Sequence, residues 1–235
     1  MSGIKDFSDP NLRRLIKDKR QVALIPVGSL EQHGSHLPIS TDSDIVTEVA
    51  KRVAKKCNLL LLPTITYGVS FEHAPFFNLS ITAQTLQKLL TDLCVSLAQN
   101  KIYKIIILNG HHGNHKPLKT LEGKISKISG KKVKVFVFSY WHFMKREFDH
   151  AGFVETSLML TTSKVNMKLA KKGLIVDRLS PKQRAKTSKL ASVHFIKATK
   201  NGVWGDPTKA TKKDGDRILS EIVRNITETV SKLAY

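Results

Sequence analysis

The 235-residue sequence predicts an α/β protein: a mainly parallel sheet with helices on both faces. Three observations predict it. Strand-like and helix-like segments alternate along residues 22–138, the pattern of repeated strand–helix–strand units. The strand candidates are continuously apolar, as strands buried on both faces must be. The segments between them carry apolar residues three and four apart, which is helical spacing.

Taken in order, Val22–Val27 (VALIPV) followed by Gly28 reads as a buried strand. Residues 44–57 set Ile45, Val46, Val49, Val53 and Ala54 on one helical face. Residues 59–66 form the next strand candidate, with Pro63 marking a break or an edge. Residues 82–100 align Leu86, Leu89, Leu90, Leu93 and Leu97, and Thr82 is the natural N-cap. A β-branched strand at 104–108 ends at Asn109-Gly110, a helix at 117–128 carries Pro117 in its first turn, and 133–138 is another strand. A short helix at 155–162 and an amphipathic C-terminal helix at 217–233 follow. Residues 178–213 are rich in Lys, Ser, Thr and Gly and read as long loops with one short strand at 192–196. There is no internal repeat and no linker, so one domain is expected over residues 1–235.

Composition narrows the class. Hydrophobic residues make up 41% and charged residues 25%, which argues against disorder. No apolar run approaches the roughly 20 residues that span a bilayer. Residues 1–20 are polar and lack the apolar segment of a signal peptide. Cys57 and Cys94 form neither a disulfide framework nor a CxxC metal site, so a reducing cytoplasm is expected. The 39 Lys and Arg against 19 Asp and Glu give a net charge of +20. Residues 164–213 hold 14 of those cations and only two acids, Asp177 and Asp206. Such a stretch either attracts phosphate or is a solvated basic face. It lacks the aromatic interleaving and finger spacing of a nucleic-acid module, so nucleic acid is not the expected partner.

The chemistry-bearing residues sit just after predicted strands, where open α/β sheets bind ligands. In Gly28-Ser29-Leu30-Glu31-Gln32-His33-Gly34, Glu31 and His33 are two apart and share one side of extended backbone. Asp42 follows at the mouth of the next helix. One Glu, one His and one Asp suit Zn²⁺, Fe²⁺ or Mn²⁺. Asn109-Gly110-His111-His112-Gly113-Asn114-His115 presents three histidines at a strand tip, and spacing leaves open which one is a ligand. His150 and Glu155 flank a turn at a helix start, where an acid also suits the helix dipole. Two further turns, Gly68 to His73 and Gly202 to Pro207, carry Ser70, His73 and Trp204. There is no G-x-S-x-G elbow, no phosphate-binding P-loop and no G-x-G-x-x-G.

Together, Glu31-Gln32-His33-Gly34, Asp42, Asn109-Gly110-His111-His112-Gly113-Asn114, His150-Ala151-Gly152-x-x-Glu155-Thr156-Ser157, the G-x-S-x-E-H at 68–73 and the G-V-x-G-D-P at 202–207 resemble the creatininase (creatinine amidohydrolase) family over about residues 22–215. The resemblance implies a three-layer α/β/α sandwich and a metal-dependent hydrolase of C–N bonds other than peptide bonds. It implies Glu31, His33, Asp42 and His111 as ligands of one or two divalent ions. Asp42 would bridge, with Glu31 and His111 on one ion and His33 on the other. True creatininases complete the second site with a Glu where this chain has Gly113, and Glu155 is the candidate replacement. The Gly113-Asn114 form resembles the branch that includes the archaeal deformylase of a formamidopyrimidine ribonucleotide 5'-monophosphate in riboflavin and deazaflavin biosynthesis, an iron enzyme. Phe153 and Asn78-Leu79 depart from that branch, which often has an acid and a Gly-Thr there.

Deformylation of a phosphorylated pyrimidine is therefore the expected activity. The alternatives are hydrolysis of another cyclic or linear amide or peptide precursor, or a basic RNA-associated protein without turnover. His150 is expected to protonate the leaving nitrogen. His73, Asn114, Ser70 and Trp204 are the expected substrate contacts; if the substrate is phosphorylated, some Lys or Arg between Lys164 and Lys213 is expected at the pocket mouth, with Lys200 and Lys209, which flank the Gly202 to Pro207 turn, the first to test. His112 is expected to be surface or to stand behind the ligands. The family implies a homo-oligomer, from dimer to hexamer, in which Trp141 and Trp204 could be covered by a neighbour.

Overall fold

The computed structural model describes residues 3–17, 21–163 and 165–234. Four parallel strands form one sheet in the order β2-β1-β3-β4. They are β1 (Val22–Val27), β2 (Leu60–Leu61), β3 (Lys104–Asn109) and β4 (Lys134–Ser139). β1 pairs with β3 from Val22↔Lys104 to Val27↔Asn109, and β3 with β4 from Lys104↔Lys134 to Asn109↔Ser139. Three strand tips therefore end level, at the same edge.

Alternate side chains divide between two cores, as the pleat requires. Leu24, Ile106 and Leu108 face α2 (Thr41–Cys57), α6 (Phe153–Thr162) and α9 (Lys212–Ala234). Ala23, Ile25, Ile105 and Ile107 face α1 (Asp9–Ile16), α3 (Ala83–Gln99) and α5 (Leu121–Ile128). Helices thus cover both faces, which is the α/β/α layering expected. Thr82 caps α3 by accepting the Thr85 N–H at 3.1 Å.

Three expectations change. The strand read at 59–66 pairs only at Leu60–Leu61, because Pro63 has no N–H to continue a ladder. Pairing resumes as a single bridge, Val27↔Ile65. The helix read at 117–128 is two pieces, α4 (His115–Leu118) and α5. The 178–213 stretch is not mainly loop, and residues 192–196 are not a strand. It holds α7 (Pro181–Ala191) and α8 (Phe195–Thr199). Ser180 and Gln183 cap α7 reciprocally, with Pro181 in its first turn. Among the described residues, no helix is long and apolar enough to cross a membrane.

Candidate metal centre

The centre forms where the tips of β1 and β3 meet the first turn of α2. Two glycines permit that approach. A Cβ on Gly28 would stand 2.4 Å from Ser43 Oγ, and one on Gly110 would stand 2.6 Å from Val46 Cβ. Asp42 is thereby brought between the loop that carries Glu31 and His33 and the loop that carries His111. Its carboxylate also lies at the helix N-terminus, which favours negative charge. The helix N-cap is Ser40, so Asp42 is not the cap.

The donor atoms converge. Asp42 Oδ1 lies 3.2 Å from His33 Nε2, and Asp42 Oδ2 lies 2.9 Å from His111 Nδ1. Glu31 Oε1 lies 3.3 Å from His111 Nδ1, and Glu155 Oε2 lies 3.5 Å from His33 Nε2. All five residues are buried. Two triads, Glu31–Asp42–His111 and His33–Asp42–Glu155, therefore share Asp42, and a third joins Glu31, His33 and His150. The family resemblance grouped the same residues, Glu31 and His111 with Asp42, and His33 with Asp42 and Glu155.

Backbone carbonyls set the imidazoles. His33 Nδ1–H donates to Glu31 O at 3.0 Å, and His111 Nε2–H donates to Val69 O at 2.9 Å. A carbonyl can only accept, so the other nitrogen of each ring is the one that faces the carboxylates, where it carries a proton or, with the ring neutral, offers its lone pair to a cation, the usual outer-shell device of metal-binding histidines. Glu31 Oε1, His33 Nε2, Asp42 Oδ2 and Glu155 Oε1 are buried without a well-formed hydrogen bond. Buried, convergent and unpaired donors of mixed O and N type fit a divalent cation.

The electrostatics agree. Burial alone would lower both imidazoles. For His33 it is outweighed by Asp42 and Glu155, and for His111 by Glu31 and Asp42, which lift each to about 10. Burial would raise Asp42, yet His33 and His111 hold its carboxyl well below the usual range. Glu155 is pushed well up by burial, against the pull of His33. The carboxylates require positive charge, which protons on the rings or a divalent ion supply.

Glu155 is fixed by its turn. Ala151 adopts a left-handed φ of 51° and aims its N–H at Glu155 Oε2, 2.7 Å away. Asp149 accepts the N–H groups of Val154 and Glu155 at 2.8 and 3.3 Å, capping α6. Burial raises the Asp149 carboxyl to about 7.

Above the centre lies a cavity of about 360 Å³, with Glu31, Asp42 and His111 in its floor. His73 and His150 border it, with His73 Nε2 3.1 Å and His150 Nδ1 3.8 Å from Glu31 Oε1. Burial, reinforced by the positive fields of His33 and His73, holds His150 well below its ordinary pKa, so its imidazole is neutral. Trp204 lines the wall, and its backbone bridges to His150.

Other expected residues stand elsewhere. Asn114 does not border the cavity. Its Oδ1 accepts Val69 N–H at 2.9 Å and its Nδ2 donates to Gly28 O at 3.0 Å, so it is a strut between two loops. Ser70 is buried beside the cavity without lining it. Glu155 lies beneath the floor, in reach of His33 but not of the cavity. His112 is exposed, as expected, and also lines the cavity, near Trp141 and Phe148. Trp141 and Trp204 both serve this chain's own cavity wall. Lys200 and Lys209 are exposed and away from the cavity, and Lys164 lies outside the described residues.

Sequence reasoning missed four residues. Gln32 Nε2 sits 3.0 Å from His73 Nδ1, 3.1 Å from His150 Nε2 and 3.3 Å from Gly202 O, tying three segments together. Glu72, Arg184 and Phe195 line the cavity. Glu72 was visible in the 68–73 motif. The Ser180-Pro181-x-Gln183 capping pattern was the available signal for the helix carrying Arg184. Gly113 could not bear a Glu in this arrangement, since a Cβ there would lie 2.1 Å from Val69 O.

A relative from Mycobacterium ulcerans (strain Agy99), a mycofactocin precursor peptide peptidase, is 33% identical, the match covering 89% of this chain and 84% of the relative. A 2-amino-5-formylamino-6-ribosylaminopyrimidin-4(3H)-one 5'-monophosphate deformylase from Methanosphaera stadtmanae is 31% identical over only 51% of this chain and 52% of the relative. A crystal structure of creatinine amidohydrolase (creatininase) superposes with a TM-score of 0.83 at 24% identity, covering 97% of this chain and 96% of that one; similar creatininases are described in a Zn–Zn type and with Mn. The family model for creatinine amidohydrolase matches residues 5–230. The chain belongs to the creatininase family of metal-dependent amidohydrolases.

Proposed function

We propose that this chain hydrolyses the C–N bond of a linear amide at a centre held by Glu31, His33, Asp42, His111 and Glu155. The observation that carries the reading is the convergence of buried donors without hydrogen-bond partners on Asp42. A divalent cation bound there supplies Lewis acidity toward the amide carbonyl and makes hydroxide accessible near neutral pH. Glu31 and Asp42 hold positive charge at the floor. His150, neutral and facing Glu31 Oε1, can take a proton and pass it to the leaving nitrogen. His73, held by Gln32, orients the amide. The ligand set suits zinc, iron and manganese alike.

Two finer readings differ in support. Cleavage of a peptide precursor is favoured by a peptidase relative matched across most of both chains. Deformylation of the pyrimidine nucleotide is favoured by the Gly113-Asn114 motif and by a relative matched over half of each chain. The metal-loaded protein should release formate from the formylaminopyrimidine nucleotide or a fragment from a short peptide, and chelation should abolish either. Turnover that survives full metal removal would refute the metal-centre reading. Light scattering would test whether a homo-oligomer forms, as in the family resemblance.

A further inference from the structure

The cavity is electrically divided. Glu31, Asp42, Glu72 and Asp149 border its lower part, and among the described residues lining it Arg184 is the one Lys or Arg. Arg184 stands on α7, and Ser188 and Ser192, one and two turns further on, border the cavity from the same helix side. Glu147 pairs with one terminal nitrogen of Arg184, which holds the side chain at the mouth and leaves other guanidinium donors for a ligand. At the far end of this run Phe195 packs 4.7 Å, centroid to centroid, from both His73 and His150. From Arg184 to Ser192 the helix rises about 12 Å.

Resting on the amidohydrolase reading above, we infer that Arg184, with the Ser188 hydroxyl beside it, is the recognition site for an anionic group, a carboxylate or a phosphate, carried by the substrate at the end remote from the scissile bond. A planar guanidinium with several donors suits either oxyanion. The floor carboxylates Glu31 and Asp42 are matched by the positive charge they hold, and Arg184 is the one Lys or Arg lining the cavity among the described residues, so the anion is assigned to Arg184 and the amide to the floor. Two sources share this chemistry, the 5'-phosphate of a nucleotide and the terminal carboxylate of a peptide. The exposed Lys200 and Lys209 have no part in it.

The test is calorimetric binding to the Zn²⁺-loaded full-length protein with two matched pairs of probes. One pair is the formylaminopyrimidine nucleotide and its dephosphorylated nucleoside. The other is a short peptide with a free C-terminal carboxylate and the same peptide as its C-terminal amide. We expect one pair to show at least a tenfold preference for the charged member, Arg184→Gln to erase that preference while leaving the neutral member's affinity unchanged, and Arg184→Lys to keep part of it. The pair that responds identifies the source. Absence of a charge preference in both pairs, or a preference that survives R184Q, overturns the site. Metal content of R184Q should equal that of the unaltered protein. Charge-dependent binding without hydrolysis would remove the amidohydrolase reading and leave the anion site standing. Hydrolysis without charge preference would do the reverse.

Discussion

The floor of the cavity and its cover are held in different ways. Floor residues Glu31, Asp42 and His111 are each at most 3% exposed. They hang from loops anchored to paired strands and to the first turn of α2. The Val69 carbonyl fixes the His111 ring, Ser29 Oγ donates to Glu31 Oε2, and the three side chains hold one another. Of the cover, α7 is nearly all surface and α8 is mostly half-buried. Ala191 is the one buried residue of α7, and Thr199 that of α8. The cover meets the body through Phe195 and through the ion pair of Arg184 with Glu147. Geometry fixed from several directions suits bond chemistry, which tolerates little misplacement. A lightly attached helix suits recognition, because it can be re-specified without disturbing the floor.

The largest expected effect tests the floor. Asp42→Ala removes both oxygens on which the two triads close. It should cost more than the roughly 10–100-fold that outer-shell changes cost, and bound metal per chain should fall with it. His112→Ala, in the cavity wall, should stay within several-fold. Steady-state kinetics with elemental analysis of the purified variants decides, and comparable losses would mean that Asp42 does not join the two triads. Metal removal is the second test. At a free metal concentration about 100 times Kd, binding adds about 2.7 kcal/mol, which for a chain of this size is roughly 5–10 °C in Tm. Protease sensitivity of α7 should be unchanged by chelation, since no floor ligand lies on it. A Tm indifferent to chelator would leave the floor without its cation.

The same contrast explains what could be read from the sequence. β1, β3 and β4 were legible because strands buried on both faces are continuously apolar. The apolar signal at 59–66 overstated β2, because it does not register that Pro63 cannot donate. Glu31, His33, Asp42 and His111 were legible because their loops follow strand ends and their order matched a family pattern. Their convergence was not, since it depends on Gly28 and Gly110 letting α2 approach. The cover was misread as loop for the reason that makes it a cover. α7 buries almost nothing, so residues 181–191 lack the apolar periodicity from which helices are inferred, and α8 is too short to show one. Asn114 was misplaced because a motif position does not show that its amide is already satisfied at both ends.

A third, smaller effect separates recognition from chemistry. Phe195→Ala should remove the ring that packs on His73 and His150 while leaving the floor intact. We expect KM to rise about tenfold, worth roughly 1.4 kcal/mol, with kcat changed less than about threefold. A collapse of kcat at unchanged KM would instead make Phe195 part of the positioning of the two histidines.

The smallest effect compares one chemistry in the two settings. Thr82 caps α3, whose Leu86, Leu90, Cys94 and Leu97 lie in the central core. Ser180 caps α7, which contributes almost nothing to either core. Replacing an N-cap hydroxyl residue by Ala costs about 1 kcal/mol wherever the helix belongs to the cooperative unit. Thr82→Ala should therefore lower the global unfolding free energy by about that amount, read from the denaturant midpoint at constant slope. Ser180→Ala should leave that midpoint unmoved, because a helix that buries only Ala191 is expected to open locally without unfolding the body. It should instead speed proteolytic cleavage within 181–191 and raise KM modestly, since the helix carrying Arg184 is less often formed. Equal shifts of the global midpoint would show that the cover folds with the sheet. The separation between a rigid floor and a loosely held cover would then have to be given up.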